Sequence, residues 1–129
     1  MSDPTDPLSW ARHAEEDYAV ARSALRRKVP FMFTACFHAQ QCAEKYLKAL
    51  LVARGQEFSK THDLIVIKDE CERVGILLAF PEDRLARLSY YAVRVRYPGD
   101  DPTLDEAREA VAIARDVRRL ARRFLGIKP

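Results

Sequence analysis

Projected at 100° per residue, the apolar positions of this chain collect on single faces of long segments, and the charged positions fall opposite them. Gly and Pro are confined to a few places, among them Pro30, Gly55, Gly75, Pro81, Pro98-Gly99 and Gly126, which leaves uninterrupted stretches between. The first predicted helix covers residues 8–27, with Trp10, Ala14, Asp17, Tyr18, Ala21, Ala24 and Leu25 on one face. The second starts near Pro30, a residue suited to a first helical turn, and ends at Gly55 as a left-handed cap. Its span of about 25 residues corresponds to roughly 37 Å.

A shorter third helix begins at residues 61–63, with Thr61 as the expected N-cap, and stops at Gly75, turning Leu64, Ile67, Cys71 and Val74 inward. The fourth opens at Pro81, where Glu82 and Asp83 suit the positive end of the helix dipole, and continues through Leu85, Leu88 and Tyr91. The stretch RYPGDDPT breaks it. The fifth starts at Thr103, with Glu106 three residues on as in a capping box, and runs to Leu125. Its inner face reads Ala107, Ala110, Val111, Ala114, Val117, Ala121 and Phe124. With no convincing strand, repeat or low-complexity tract, five helices with short connections predict an all-α antiparallel bundle. A length of 129 residues suits one domain, 1–129.

Residues 36–51 read CFHAQQCAEKYLKALL and mix potential ligands with apolar residues. On a helix, Ala35, Cys36, Ala39, Cys42, Ala43, Tyr46, Leu47, Ala49, Leu50 and Leu51 share one broad arc, which is core. Cys36 and His38 lie about 160° apart, so Cys36, His38 and Cys42 cannot converge on one metal ion, and no metal or cofactor is expected. His38, Gln41 and Lys45 form a row on the edge of the polar face, with Phe37, Gln41, Glu44 and Lys48 beside it. Phe37, an aromatic among polar neighbours, fits either packing on another helix or a subunit interface. Lys45 and Lys48 also read as merely solvated. Gln40 points toward the apolar arc and needs a partner inside the bundle. Asp17 needs one too, with an Arg or Tyr from another helix as the natural candidate.

Composition narrows the function. Charged residues make up 32% of the chain, too many for a membrane span, and no apolar leader occupies the first thirty residues, so the cytoplasm is the expected compartment. Three cysteines without a CxxC spacing read as reduced, buried thiols. The net charge of +3 is modest, but sixteen Arg against six Lys favours planar, bidentate contact with phosphate.

Several of these residues occur together in a known family. Trp10, Ala14, Asp17 and Ala21, the element FHAQQCAEKYLKALL, HDL at 62–64, and Tyr91 followed by RYP resemble, in order and over almost the whole chain, the HEPN domain (higher eukaryotes and prokaryotes nucleotide-binding). The resemblance implies four main helices in an up-and-down bundle, which leaves the short third helix as an extra element. It implies a homodimer, a nucleotide or RNA ligand, and a minimal nucleotidyltransferase as partner in a toxin-antitoxin-like pair. Many family members are metal-independent RNases with Arg, four to six residues, then His. Here His13, His38 and His62 are the only histidines, and Arg54 precedes His62 by seven intervening residues, so the nuclease motif is absent and no catalytic residue is assigned.

Arg94 and Arg96 lie close in sequence to Tyr90, Tyr91 and Tyr97, so positive charge and stacking surface coincide. Phosphate contact is therefore expected from Lys45, Lys48, Arg94 and Arg96, and base or sugar contact from His38 and Gln41, with Tyr97 beside them. An ion pair of Arg96 with Asp17 competes with that role. A second basic stripe, Arg108, Arg115, Arg118, Arg119 and Arg122, lies within one arc of the last helix and fits either a phosphate backbone or pairing with Glu106, Glu109 and Asp116. The alternatives to a binding module are a divergent RNase with His38 or His62 as base, and a purely structural dimerisation module held by Phe37.

Overall fold

The structure, a computed structural model, describes residues 3–57, 60–93 and 99–129. Helix α1 spans Pro7–Arg26, and its N-cap Asp6 accepts the Leu8 N–H at 2.9 Å, with Pro7 in the first turn where no amide partner is needed. Helix α2 spans Met32–Ala53. It begins after Pro30 rather than at it, because Phe31 is still non-helical and caps the helix without a side-chain bond. Gly55, at φ +67°, closes its C-terminus in the left-handed conformation.

Helix α3 spans Leu64–Arg73, and its N-cap is Asp63 rather than Thr61. The Asp63 carboxylate accepts from the Ile65 and Val66 amides, while the Thr61 hydroxyl accepts the Asp63 N–H at 3.1 Å and so supports the cap one step back. A carboxylate at the first position also interacts better with the helix dipole than a hydroxyl does. Helix α4 spans Glu82–Val93 and α5 spans Leu104–Phe124, the latter opened by the expected capping box of Thr103 and Glu106.

These helices form an all-α, up-and-down antiparallel bundle of α1, α2, α4 and α5, with short α3 as the extra element. Helix α2 is central and packs on every other helix. Its expected core arc is buried throughout, and Ala35, Ala39 and Ala43 join Ala14 and Ala21 of α1 at zero exposure. Short side chains there allow close helix approach, while Tyr46, Leu50, Leu64, Ile67, Leu88 and Ile113 fill the wider centre. Phe124, assigned to the inner face of α5, is instead 45% exposed; Leu125 and Ile127, beyond the helix end, pack on the core in its place. Ile113 is fully buried although the pattern did not assign it.

Cys36, Cys42 and Cys71 are buried thiols and form no disulfide with one another. Burial pushes the Cys71 thiol up to about 12 and raises Cys42 as well, the behaviour of packing residues rather than nucleophiles. No described helix is long and apolar enough to cross a membrane.

Candidate functional site

Asp17 of α1 is buried in the face toward α2, and its two carboxylate oxygens serve two residues of the edge row. The His38 Nδ1–H donates to Oδ1 at 2.8 Å, and the Lys45 ammonium to Oδ2 at 2.7 Å. Among the described residues its partners are thus a His and a Lys from α2, while the expected pairing with Arg96 lies outside the described residues. Residues 38 and 45 lie two turns apart on α2 and reach one carboxylate from either side. Their side chains keep 29% and 28% exposure, so both meet solvent beyond the ion pair. With Nδ1 engaged as donor, the His38 Nε2 makes no hydrogen bond among the described residues.

A similar unit recurs at the other end of the motif. Glu44, expected on the polar face, is buried together with Lys48, and the two pair at 3.1 Å with only 6% exposure each. The Glu44 carboxylate also accepts from the His62 Nδ1–H, at 3.0 Å to Oε1, while the His62 side chain is 75% exposed. Gln40 has the internal partners its position requires: its amide donates to the His62 carbonyl at 3.0 Å, and its carbonyl accepts from the Ser89 hydroxyl at 3.2 Å. This network ties α2 to the segment before α3 and to α4. It explains a burial that periodicity missed: α2 packs on every other helix, so the Glu44–Lys48 part of its nominal polar face is enclosed, while the His38–Gln41–Lys45 edge meets solvent.

The third polar centre lies between α1, α2 and α5. Glu15 receives two hydrogen bonds from Arg118, at 2.6 and 2.8 Å, and one from the Tyr46 hydroxyl at 2.5 Å, which in turn accepts from Arg122 at 3.1 Å. Burial raises the Glu15 carboxyl, but the bonds from Arg118 and Tyr46 and the charges of Arg118 and Arg122 outweigh it, leaving the group below its usual range. Burial first, and then the bond to Glu15, raises the Tyr46 phenol. The basic stripe of α5 is thereby divided. Arg118 and Arg122 are drawn to Glu15, whereas among the described residues Arg115 pairs only with neighbouring Asp116, at 3.4 Å, and Arg108 only with Asp105, at 3.9 Å. Glu109 is taken by Arg87 of α4 at 2.7 Å, and Asp116 by Arg84 at 2.9 Å.

Of the expected ligand residues, His38 and Lys45 therefore meet on one carboxylate, with Gln41 half-buried on the same row. Lys48 is withdrawn into the bundle. Arg94, Arg96 and Tyr97 lie outside the described residues. Phe37 is 40% exposed, its ring 5.3 Å from His38 and 6.4 Å from Phe33, which is itself 42% exposed. Among the described residues no group of three or more His, Cys, Asp or Glu side chains could hold a metal ion. The feature that sequence reasoning missed is the burial of Glu44 and its pairing with Lys48 and His62. A signal for it was present, since Glu44 precedes Lys48 by four residues, the spacing at which such pairs form.

The fold is an all-α bundle in which two carboxylate–histidine–lysine units are built around its central helix. Residues 8–124 match the HEPN domain family, and the chain belongs to that family. The crystal structure of TT1696 from Thermus thermophilus is similar to it, with a TM-score of 0.74 and 27% sequence identity over 92% of this chain and 97% of that one. No curated protein matches the chain.

Proposed function

We propose that this protein is a nucleotide- or RNA-binding HEPN module that works as a homodimer beside a minimal nucleotidyltransferase, without a nuclease centre of its own. Membership of the HEPN family across residues 8–124 carries the reading. The α1–α2 surface supports it, because Phe37, His38, Gln41 and Lys45 offer a ring face, a second imidazole nitrogen, an amide and an ammonium within one patch. In this proposal Arg94, Arg96 and Tyr97 supply further phosphate and stacking contacts, and Lys48 acts through Glu44 rather than by touching ligand. The test is thermal stability with ATP or a short RNA. A rise in melting temperature that Arg96→Ala or Lys45→Ala abolishes is expected, and no shift with any nucleotide overturns the reading.

One observation favours a second reading. The exposed His62 imidazole is oriented by a buried carboxylate, an arrangement that also suits a general base. Incubation of RNA with wild type and His62→Ala decides between them: cleavage lost only in the variant supports a divergent RNase, and equal absence of cleavage removes it.

A further inference from the structure

A groove of about 420 Å³ runs between α1 and α5, and five arginines face it: Arg22 from α1 and Arg108, Arg115, Arg118 and Arg119 from α5. Among the described residues no Asp or Glu lines it. Arg22 and Arg119 make no ion pair among the described residues, and the pairs of Arg108 and Arg115 are loose, at 3.9 and 3.4 Å. Tyr18 lies at the α1 side of the groove with the Arg22 and Arg118 guanidinium carbons 5.6 and 5.1 Å from its ring centre, so the ring holds these side chains in place before any ligand arrives. We infer that this groove binds the phosphate backbone of a single RNA strand, at a site separate from the nucleotide patch on α2.

Geometry and chemistry favour a strand over the alternatives. From Arg108 to Arg119, eleven residues at about 1.5 Å rise place cations along roughly 16 Å. A stacked strand advances about 3.4 Å per nucleotide, so the row matches about five phosphates. All the cations are guanidinium forks, the form that pairs two oxygens at once. An acidic peptide would need an apolar anchor to hold its register, and the aliphatic residues of the groove do not offer one: Val111 is 9% exposed and Leu25 packs against the core.

The experiment is fluorescence anisotropy of a labelled ten-nucleotide RNA of mixed sequence across a salt series. Each phosphate contact contributes about 0.7 to the slope of log affinity against log salt, so four arginines without a close ion pair predict a loss of about 50-fold between 50 and 200 mM salt. The variant Arg115→Ala/Arg119→Ala should reduce that loss to about sevenfold, and Arg22→Ala, on the other helix, should lower the slope by one contact. Arg87→Ala, paired on α4 away from the groove, should leave the slope unchanged. Circular dichroism melts report whether each variant folds, and the two helices are tested independently. An unaltered slope in both folded variants overturns the inference, as does binding of polyglutamate where RNA shows none, which would assign the groove to an acidic protein. The nucleotide-dependent melting shift should survive Arg115→Ala/Arg119→Ala, so failure of the groove and failure of the α2 patch are told apart.

Discussion

Replacing Asp17 by Asn separates two quantities that usually move together. The carboxylate, at 11% exposure, holds His38 and Lys45 at 2.8 and 2.7 Å. Two charge-assisted bonds of this kind are worth about 1.5–3 kcal/mol each when fully enclosed, but both partners are more than a quarter exposed and regain hydration when released. A net loss of about 2 kcal/mol is expected, or roughly 6–10 °C in melting temperature for a chain of this size. The same change removes a negative charge from beside the proposed phosphate position. At about 7 Å, with an effective dielectric constant between roughly 20 and 80, that relief amounts to about 0.6–2.4 kcal/mol, or threefold to fiftyfold tighter binding. Differential scanning fluorimetry without ligand and calorimetric titration with ATP measure the two effects. Lower stability with tighter binding is the expected pair of results. Weaker binding by a variant that remains folded would refute the view that His38 and Lys45 face a phosphate.

Other expectations follow from the same geometry. Glu44→Ala removes the carboxylate from a buried lysine and should cost roughly 3–5 kcal/mol, read by urea denaturation, whereas Glu44→Leu with Lys48→Met should recover most of the loss. Because Glu15 titrates below its ordinary value in the folded state, the unfolded chain binds more protons there; its stabilisation is present above pH about 4.5 and fades as pH falls through the depressed value. Stability curves of wild type and Glu15→Gln should therefore converge on acidification below that point. Thr103→Ala breaks the capping box of α5 and should cost about 1 kcal/mol in thermal unfolding. Sedimentation of Phe37→Glu should give monomer if the exposed Phe33–Phe37 face joins subunits, and an unchanged species would remove that assignment.

Helix order, the Thr103 capping box and the core arc of α2 were all legible in the sequence, because each depends on spacing within one segment. The errors arose where a second segment decides the outcome. Thr61 and Asp63 are both competent caps, and only the path of the chain into α3 selects Asp63. Glu44 and Lys48 occupy helical positions that would be solvated on a peripheral helix, and are buried because α2 is central. The need of Asp17 for a partner was evident from its position, and that His38 and Lys45 are among those that meet it depended on how α1 and α2 align. The basic stripe of α5 was visible as a row of arginines, yet its division into a Glu15-bound part and an open part required a residue more than a hundred positions away.

The three buried thiols give the molecule a built-in reporter of its own opening. Cys36 and Cys42 sit on α2 and Cys71 on α3, all at zero exposure, and none can meet a thiol reagent until its helix separates from the bundle. Mass spectrometry of alkylation at mildly alkaline pH would then time the detachment of short α3 against the opening of central α2, with no label introduced. Since among the described helices α3 packs on α2 and α4 alone, Cys71 should react first.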